Sequence, residues 1–289
     1  MNTKMNKTTT IDRVKEGGEQ EVREAAFSPF TELLTRIGFG ARGLIYLVMG
    51  VIAIQVARGV SNTPANQQGA LELIGAQPLG HILLIIVMVG LAGYALWCVI
   101  RAIFDPLHLG SDAEGLLQRF SFFVSAGIYA SLIVPAYGYL VGGAGATQNG
   151  SQTQQSVSTI MAMPWGRWLV GVGGIVVIGV GLAQVYKGFK HNFDKQFQLY
   201  DLNQKQSIWI RRIGRFGTAS RGIVIALSGI FLALAAYNFN PAQAQGINGA
   251  LLTLVHQPYG PWLLGVVAAG LIAFGIYSLT GAAWFRLRR

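Results

Sequence analysis

Six long runs almost free of charge dominate this chain and leave it few ways to fold. They cover 37–57, 82–100, 120–141, 168–186, 217–237 and 261–285, and none holds an Asp or a Glu. Each approaches or exceeds the roughly 20 residues a helix needs to cross hydrocarbon. In lipid every backbone polar group must be satisfied within the structure, so a spanning segment is either a helix or a strand of a closed barrel. Barrel strands are short and alternate faces, whereas these runs are long and uniformly apolar. The expected fold is therefore all-α and integral to the membrane, with six transmembrane helices. Only 12% of the 289 residues are charged, against about a quarter in a soluble domain. Ser28-Pro29 reads as an N-cap with proline in the first helical position, which predicts a first helix over 29–57.

Charge placement predicts the orientation. Segments 1–42, 101–119, 187–221 and 286–289 hold 20 of the 22 basic residues, and the opposite side holds only Arg58 and Arg167. Lys and Arg are retained on the cytoplasmic side, so both termini are expected in the cytoplasm. The net charge of +10 is then a topology device with an attraction to anionic lipid heads, not a nucleic-acid surface. Trp165, Trp168, Tyr259 and Trp262 are expected at the outer interface, and Trp97, Phe104, Tyr186 and Trp284 at the inner one.

The chain also repeats itself. Arg36, Gly38, Arg42, Gly43 and Gly50 fall in register with Arg215, Gly217, Arg221, Gly222 and Gly229. The middle copy places Arg119, Ser121, Ser125 and Ala126 at the first four of these positions. Gln77-Pro78-Leu79-Gly80, Met163-Pro164-Trp165-Gly166 and Gln257-Pro258-Tyr259-Gly260 enter the even helices in the same way. Each unit thus contains two spans, so the copies share one orientation and form parallel repeats. The expected division is a cytoplasmic tail over 1–35, repeats over 36–105, 119–190 and 215–285, cytoplasmic linkers over 106–118 and 191–214, and a basic tail over 286–289. A pseudo-threefold bundle of three hairpins is the expected assembly, with a sequential row as the alternative. Short amphipathic stretches before each proline, 70–74, 157–161 and 250–255, are expected to lie flat on the outer face. The turn residues Pro78, Gly80, Pro164, Gly166, Pro258 and Gly260 would end them and redirect the chain into the membrane.

Helices in lipid associate through close backbone approach, which small residues permit. Gly43, Gly50 and Ala57 recur every seven residues, as do Gly222, Gly229 and Ala236, while Gly265, Ala269 and Ala273 recur every four. These are the expected packing faces, together with glycines 171, 173, 174, 179 and 181 of the fourth span.

The Arg-Gly entries Ala41-Arg42-Gly43 and Ser220-Arg221-Gly222, the outer Pro-x-Gly turns and the run Ala273-Phe274-Gly275-Ile276-Tyr277-Ser278-Leu279 resemble the domain-of-unknown-function 1206 family. That family consists of bacterial membrane proteins with three paired-helix units. The resemblance covers about residues 36–284 and departs at Ser125, where the other copies carry arginine. It implies the fold and carries no activity.

Arg42 and Arg221 are the leading candidates for function, with Arg36 and Arg215 one register below them. Arginine inside a span must face protein, water or lipid heads. The ordinary reading is snorkelling to inner-leaflet phosphates; the functional one is a site for an anionic ligand or lipid headgroup. With no carboxylate in the spans, partners could come only from loop acids such as Asp105, Asp112, Glu114, Asp194 and Asp201. The same lack argues against a proton relay. His81, His108, His191 and His256 form no facing pair, Cys98 lies alone in an apolar run, and no catalytic or nucleotide motif occurs. No cofactor or metal is expected. The expected function is a non-catalytic scaffold or accessory protein, acting alone, as a homo-oligomer or with a membrane partner. The alternatives are a small-solute transporter or channel and an anionic-lipid-binding protein. A transport path would require Gln55, Gln184, Ser125, Ser228 and Ser278 to converge with the two arginines.

Overall fold

A computed structural model describes residues 29–61, 63–104, 113–142, 151–189 and 204–284. The tail over 1–28, the acids Asp105, Asp112, Asp194 and Asp201, the histidines His108 and His191, and the basic tail lie outside the described residues, as does the side chain of Glu114. Among the described residues there are helices and turns and no strands. The helices are α1 (Pro29–Ala57), α2 (Gln67–Gly75), α3 (Gly80–Phe104), α4 (Ala113–Ser131), α5 (Ile133–Leu140), α6 (Ser151–Met161), α7 (Gly166–Phe189), α8 (Gln204–Tyr237), α9 (Ile247–Val255) and α10 (Gly260–Trp284). Six stretches are long and apolar enough to cross a membrane: Glu32–Ala57, Gly80–Ile103, Gln118–Leu140, Gly166–Phe189, Ser207–Tyr237 and Gly260–Ala283.

The first helix begins at Pro29, as its proline predicts. The third run is broken where a single helix was expected. Pro135 has no N–H to give and its ring crowds the carbonyl of Ser131, so α4 stops there and α5 resumes after Leu132. The linker expected over 191–214 is helical from Gln204 onward, and α8 runs unbroken for 34 residues. Its polar first turns carry no helix breaker, so the helix extends below the apolar run.

Short helices stand before the three Pro-x-Gly turns, as α2, α6 and α9. Asn66 caps α2, its side chain accepting from the Gly69 N–H at 2.8 Å. Each is followed by the same turn, in which the Gly80, Gly166 and Gly260 N–H groups donate to the Gln77, Met163 and Gln257 carbonyls at 2.8, 2.9 and 2.7 Å. Glycine serves here by closeness: a Cβ at these positions would collide with the carbonyls of Gly75, Ile160 and Val255. The outer segments also tie the repeats together. The Ala65 N–H donates to the Asn248 side chain at 3.0 Å, and Gln154 Nε2 donates to the Ala242 carbonyl at 2.9 Å.

The long helices pack side by side in the order α4, α3, α1, α10, α8, α7. The two spans of the middle repeat, α4 and α7, thus stand at the two ends of the series. Glycine seams explain two of the closest pairs. A Cβ at Gly43 would meet the Gly275 carbonyl at 2.9 Å, and one at Gly50 the Ala268 carbonyl at 2.9 Å, so α1 lies directly on α10. A Cβ at Gly222 would meet the Gly181 carbonyl at 2.7 Å, and one at Gly229 the Gly174 carbonyl at 2.9 Å, so α8 lies on α7 in the same way. Of the glycines in the fourth span, Gly174 and Gly181 make this seam, with Gly188 further along the helix, while Gly173 and Gly179 face open space. The seam expected on α10 is displaced. Gly265 has nothing within 4 Å of a built Cβ and Ala269 is exposed, whereas Ala268, Ile272 and Gly275 meet α1. A four-residue spacing marks a face without saying whether protein or lipid covers it.

Candidate functional site

The site begins with Arg42, on the N-terminal half of α1. Side chains on a helix lean toward its N-terminus, so the guanidinium reaches back toward the start of α1. Arg42 Nη1 donates to the Tyr94 hydroxyl of α3. Its Cζ lies 5.1 Å from the Tyr94 ring, 5.8 Å from the Tyr129 ring of α4 and 4.6 Å from the Phe274 ring of α10. The residue is 8% exposed, and its Nε is buried with no hydrogen-bond partner among the described residues.

Arg221, on α8, occupies the corresponding register. Its Cζ lies 5.0 Å from the same Phe274 ring and 5.3 Å from Tyr46 of α1, and its Nε is likewise buried without a partner. The rings brace one another edge to face, Tyr46 on Phe274 at 4.8 Å and Tyr94 on Tyr129 at 4.7 Å. Five of the six long helices therefore build one cage around two guanidiniums.

The cage makes the arginines tolerable without neutralising them. An arginine at mid-membrane costs roughly 2.5–3.5 kcal/mol on insertion scales. Each desolvated cation–π contact returns about 1–2 kcal/mol, so two or three rings offset much of that. The like charges still repel, and the only acidic side chains among the described residues, Glu32 and Glu72, lie at the inner start of α1 and on α2.

Of the four arginines singled out from sequence, the structure brings Arg42 and Arg221 together. Arg36 is ion-paired with Glu32 at 3.0 Å, one turn back on the same helix. Arg215 sits on the N-terminal half of α8, where its carbonyl approaches Gly188 of α7, and its Nε is buried with no hydrogen-bond partner among the described residues. Ser125, the middle-repeat counterpart of the two arginines, donates to the Ser121 carbonyl at 2.8 Å. Ser228 donates to the Val224 carbonyl at 3.0 Å. Both hydroxyls are satisfied on their own helices, and aromatic rings surround the two arginines.

Sequence reasoning missed the rings and Arg101. A signal was present: Tyr94 and Phe274 each stand sixteen residues beyond their repeat's outer proline, and Tyr46 and Tyr129 each ten beyond Arg36 and Arg119. Trp97, expected at the lipid interface, is 2% exposed and lies under Arg101, whose Cζ is 5.0 Å from its ring. Trp165, Trp168, Tyr259 and Trp262 are exposed as expected. Cys98 is buried and unbridged, and His81 and His256 are both exposed. No cluster of His, Cys, Asp or Glu that could hold a metal occurs among the described residues.

The family described as Domain of Unknown Function (DUF1206) matches the chain three times, at 37–105, 120–191 and 216–284. The chain belongs to the DUF1206 family. The three matches fall on the three helix pairs, so this DUF1206 chain is a threefold internal repeat with two long apolar helices in each copy. It is also similar to a Bacillus subtilis (strain 168) protein called uncharacterized protein YxxB, at 32% identity over 252 residues, covering 87% of this chain and 90% of that one. No solved structure matches it.

Proposed function

We propose that this DUF1206 protein is a non-catalytic protein of the bacterial inner membrane that holds an anionic group, such as a lipid headgroup, between Arg42 and Arg221. The observation that carries the reading is the pair of guanidiniums on one Phe274 ring, each with a buried Nε that has no hydrogen-bond partner among the described residues, in apolar runs that hold no carboxylate. Buried charge of one sign calls for a counter-ion. Guanidinium forks suit phosphate and carboxylate oxygens.

Both termini face the cytoplasm in this reading, supported by the 20-to-2 division of basic residues. The cage then lies toward the cytoplasmic leaflet, where anionic lipids concentrate. The helices follow a pseudo-threefold ring in which α3 meets α4, α7 meets α8 and α10 meets α1. Supporting this, Gly43 on Gly275 and Gly222 on Gly181 occupy one register, and the buried Ala126 and Ala95 occupy it at the third seam. The ring is left unsealed between α4 and α7.

The test is native mass spectrometry of the full chain released from membranes rich in anionic phospholipid. The parent should retain bound phospholipid, and the double variant Arg42→Gln/Arg221→Gln should lose it. Equal retention by both removes the proposed site.

A further inference from the structure

The inner part of the α3–α4 seam has two storeys. In the upper one Arg42 lies against Tyr94 of α3 and Tyr129 of α4. In the lower one Arg101 of α3 lies 5.0 Å from Trp97 of α3 and 5.1 Å from Phe122 of α4. Tyr94 and Arg101 are seven residues apart, as are Phe122 and Tyr129, so each pair lies on one face of its helix, about 10 Å apart along the axis.

The two side chains do not diverge. Those of α1 lean toward the inner end, because that is where α1 begins, while those of α3 lean outward, because α3 begins at the outer turn. Arg42 therefore reaches down and Arg101 reaches up. Tyr94 accordingly lies in the field of Arg42, Arg101 and Arg221 together. Arg101 is 3% exposed, and its Nε is buried with no hydrogen-bond partner among the described residues. Its neighbour on the seam is differently employed: Arg119 donates to the Ala102 and Ile103 carbonyls, both at 2.9 Å, and so caps α3. Among the described residues Arg101 has no such carbonyl partner for its Nε.

The charges of Arg42, Arg221 and Arg101 together are more than a singly charged phosphodiester can balance. A phosphate monoester carries close to two negative charges at neutral pH and offers three acceptor oxygens. We propose that Arg101 joins Arg42 and Arg221 in a three-arginine site for a phosphate monoester, on a lipid headgroup or on a soluble ester. This rests on the anion site proposed above and names the class of ligand it takes.

The experiment uses the full chain in nanodiscs, with phosphatidic acid as the monoester, phosphatidylglycerol as the diester and phosphatidylcholine as background. The parent should bind phosphatidic acid about tenfold or more tighter than phosphatidylglycerol, the worth of one further charge-assisted bond. Arg101→Gln should erase that preference while phosphatidylglycerol binding stays, and Arg101→Lys should recover part of it. A preference that survives Arg101→Gln overturns the inference and leaves the Arg42–Arg221 site standing. If Arg42→Gln/Arg221→Gln binds both lipids as the parent does, the underlying site itself falls. Inorganic phosphate added to discs of phosphatidylcholine alone separates the sources. Binding there, with displacement of phosphatidic acid, assigns the site to a soluble ester; no binding, with the lipid preference intact, assigns it to a lipid.

Discussion

Arg42 and Arg221 share the Phe274 ring, their Cζ atoms 4.6 and 5.0 Å from its centroid. The ring is the common support of two like charges from different repeats. Its loss should release both. Phe274→Leu keeps an apolar side chain of similar size yet should lower stability by about 1–3 kcal/mol, two desolvated cation–π contacts. Thermal unfolding in a mild detergent, followed by loss of monodisperse protein, measures this. An unchanged midpoint would mean the ring only fills space.

The Tyr94 hydroxyl is the one described hydrogen-bond acceptor of Arg42. Tyr94→Phe should cost about 1.5–3 kcal/mol, since a charged donor is left buried without an acceptor. Phe274→Tyr is the reciprocal change, giving Arg221 the acceptor that Arg42 already has. It should be neutral or stabilising. If Tyr94→Phe is as stable as the parent, the hydrogen bond contributes nothing.

The glycine seams separate two kinds of glycine. Gly50→Leu would drive a side chain into Ile272 and the Ala268 carbonyl, and Gly229→Leu into Ile178 and the Gly174 carbonyl. Each should cost at least about 1–3 kcal/mol by overpacking. Gly265→Leu points into open space and should leave the midpoint in place. Equal effects at the three positions would contradict this packing.

Arg167 closes the outer end of α8, its Nε and Nη2 donating to the Ala236 and Tyr237 carbonyls at 2.9 and 3.0 Å. A cation at a helix C-terminus meets both the dipole and the unpaired carbonyls. Arg167→Gln should cost about 1 kcal/mol. Hydrogen exchange should rise first in the last turn of α8, and uniform exchange across the chain would argue against a local cap.

Orientation is open to direct labelling. In a Cys98→Ser background, Gln257→Cys in the outer turn should react with an impermeant maleimide in intact cells. Lys187→Cys at the inner end of α7 should react only after permeabilisation. The reverse pattern would invert the topology.

The six spans, their pairing into three units, the short helices before the prolines and the turns that follow them were legible in the sequence, because each depends on local rules. Hydrophobic length decides whether a helix can cross lipid, and a recurring Pro-x-Gly marks the turn wherever it occurs. Arg42 and Arg221 were also legible, since a charge in an apolar run is conspicuous by its cost. Only the tertiary structure decided that both meet Phe274, that Arg101 lies between Trp97 and Phe122, and that α10 packs on α1 through Gly275 instead of Gly265. Those facts depend on how six helices are rotated and ordered. In lipid an apolar face gains nothing by being covered, so hydrophobic pattern leaves rotation and order open until close backbone contacts fix them.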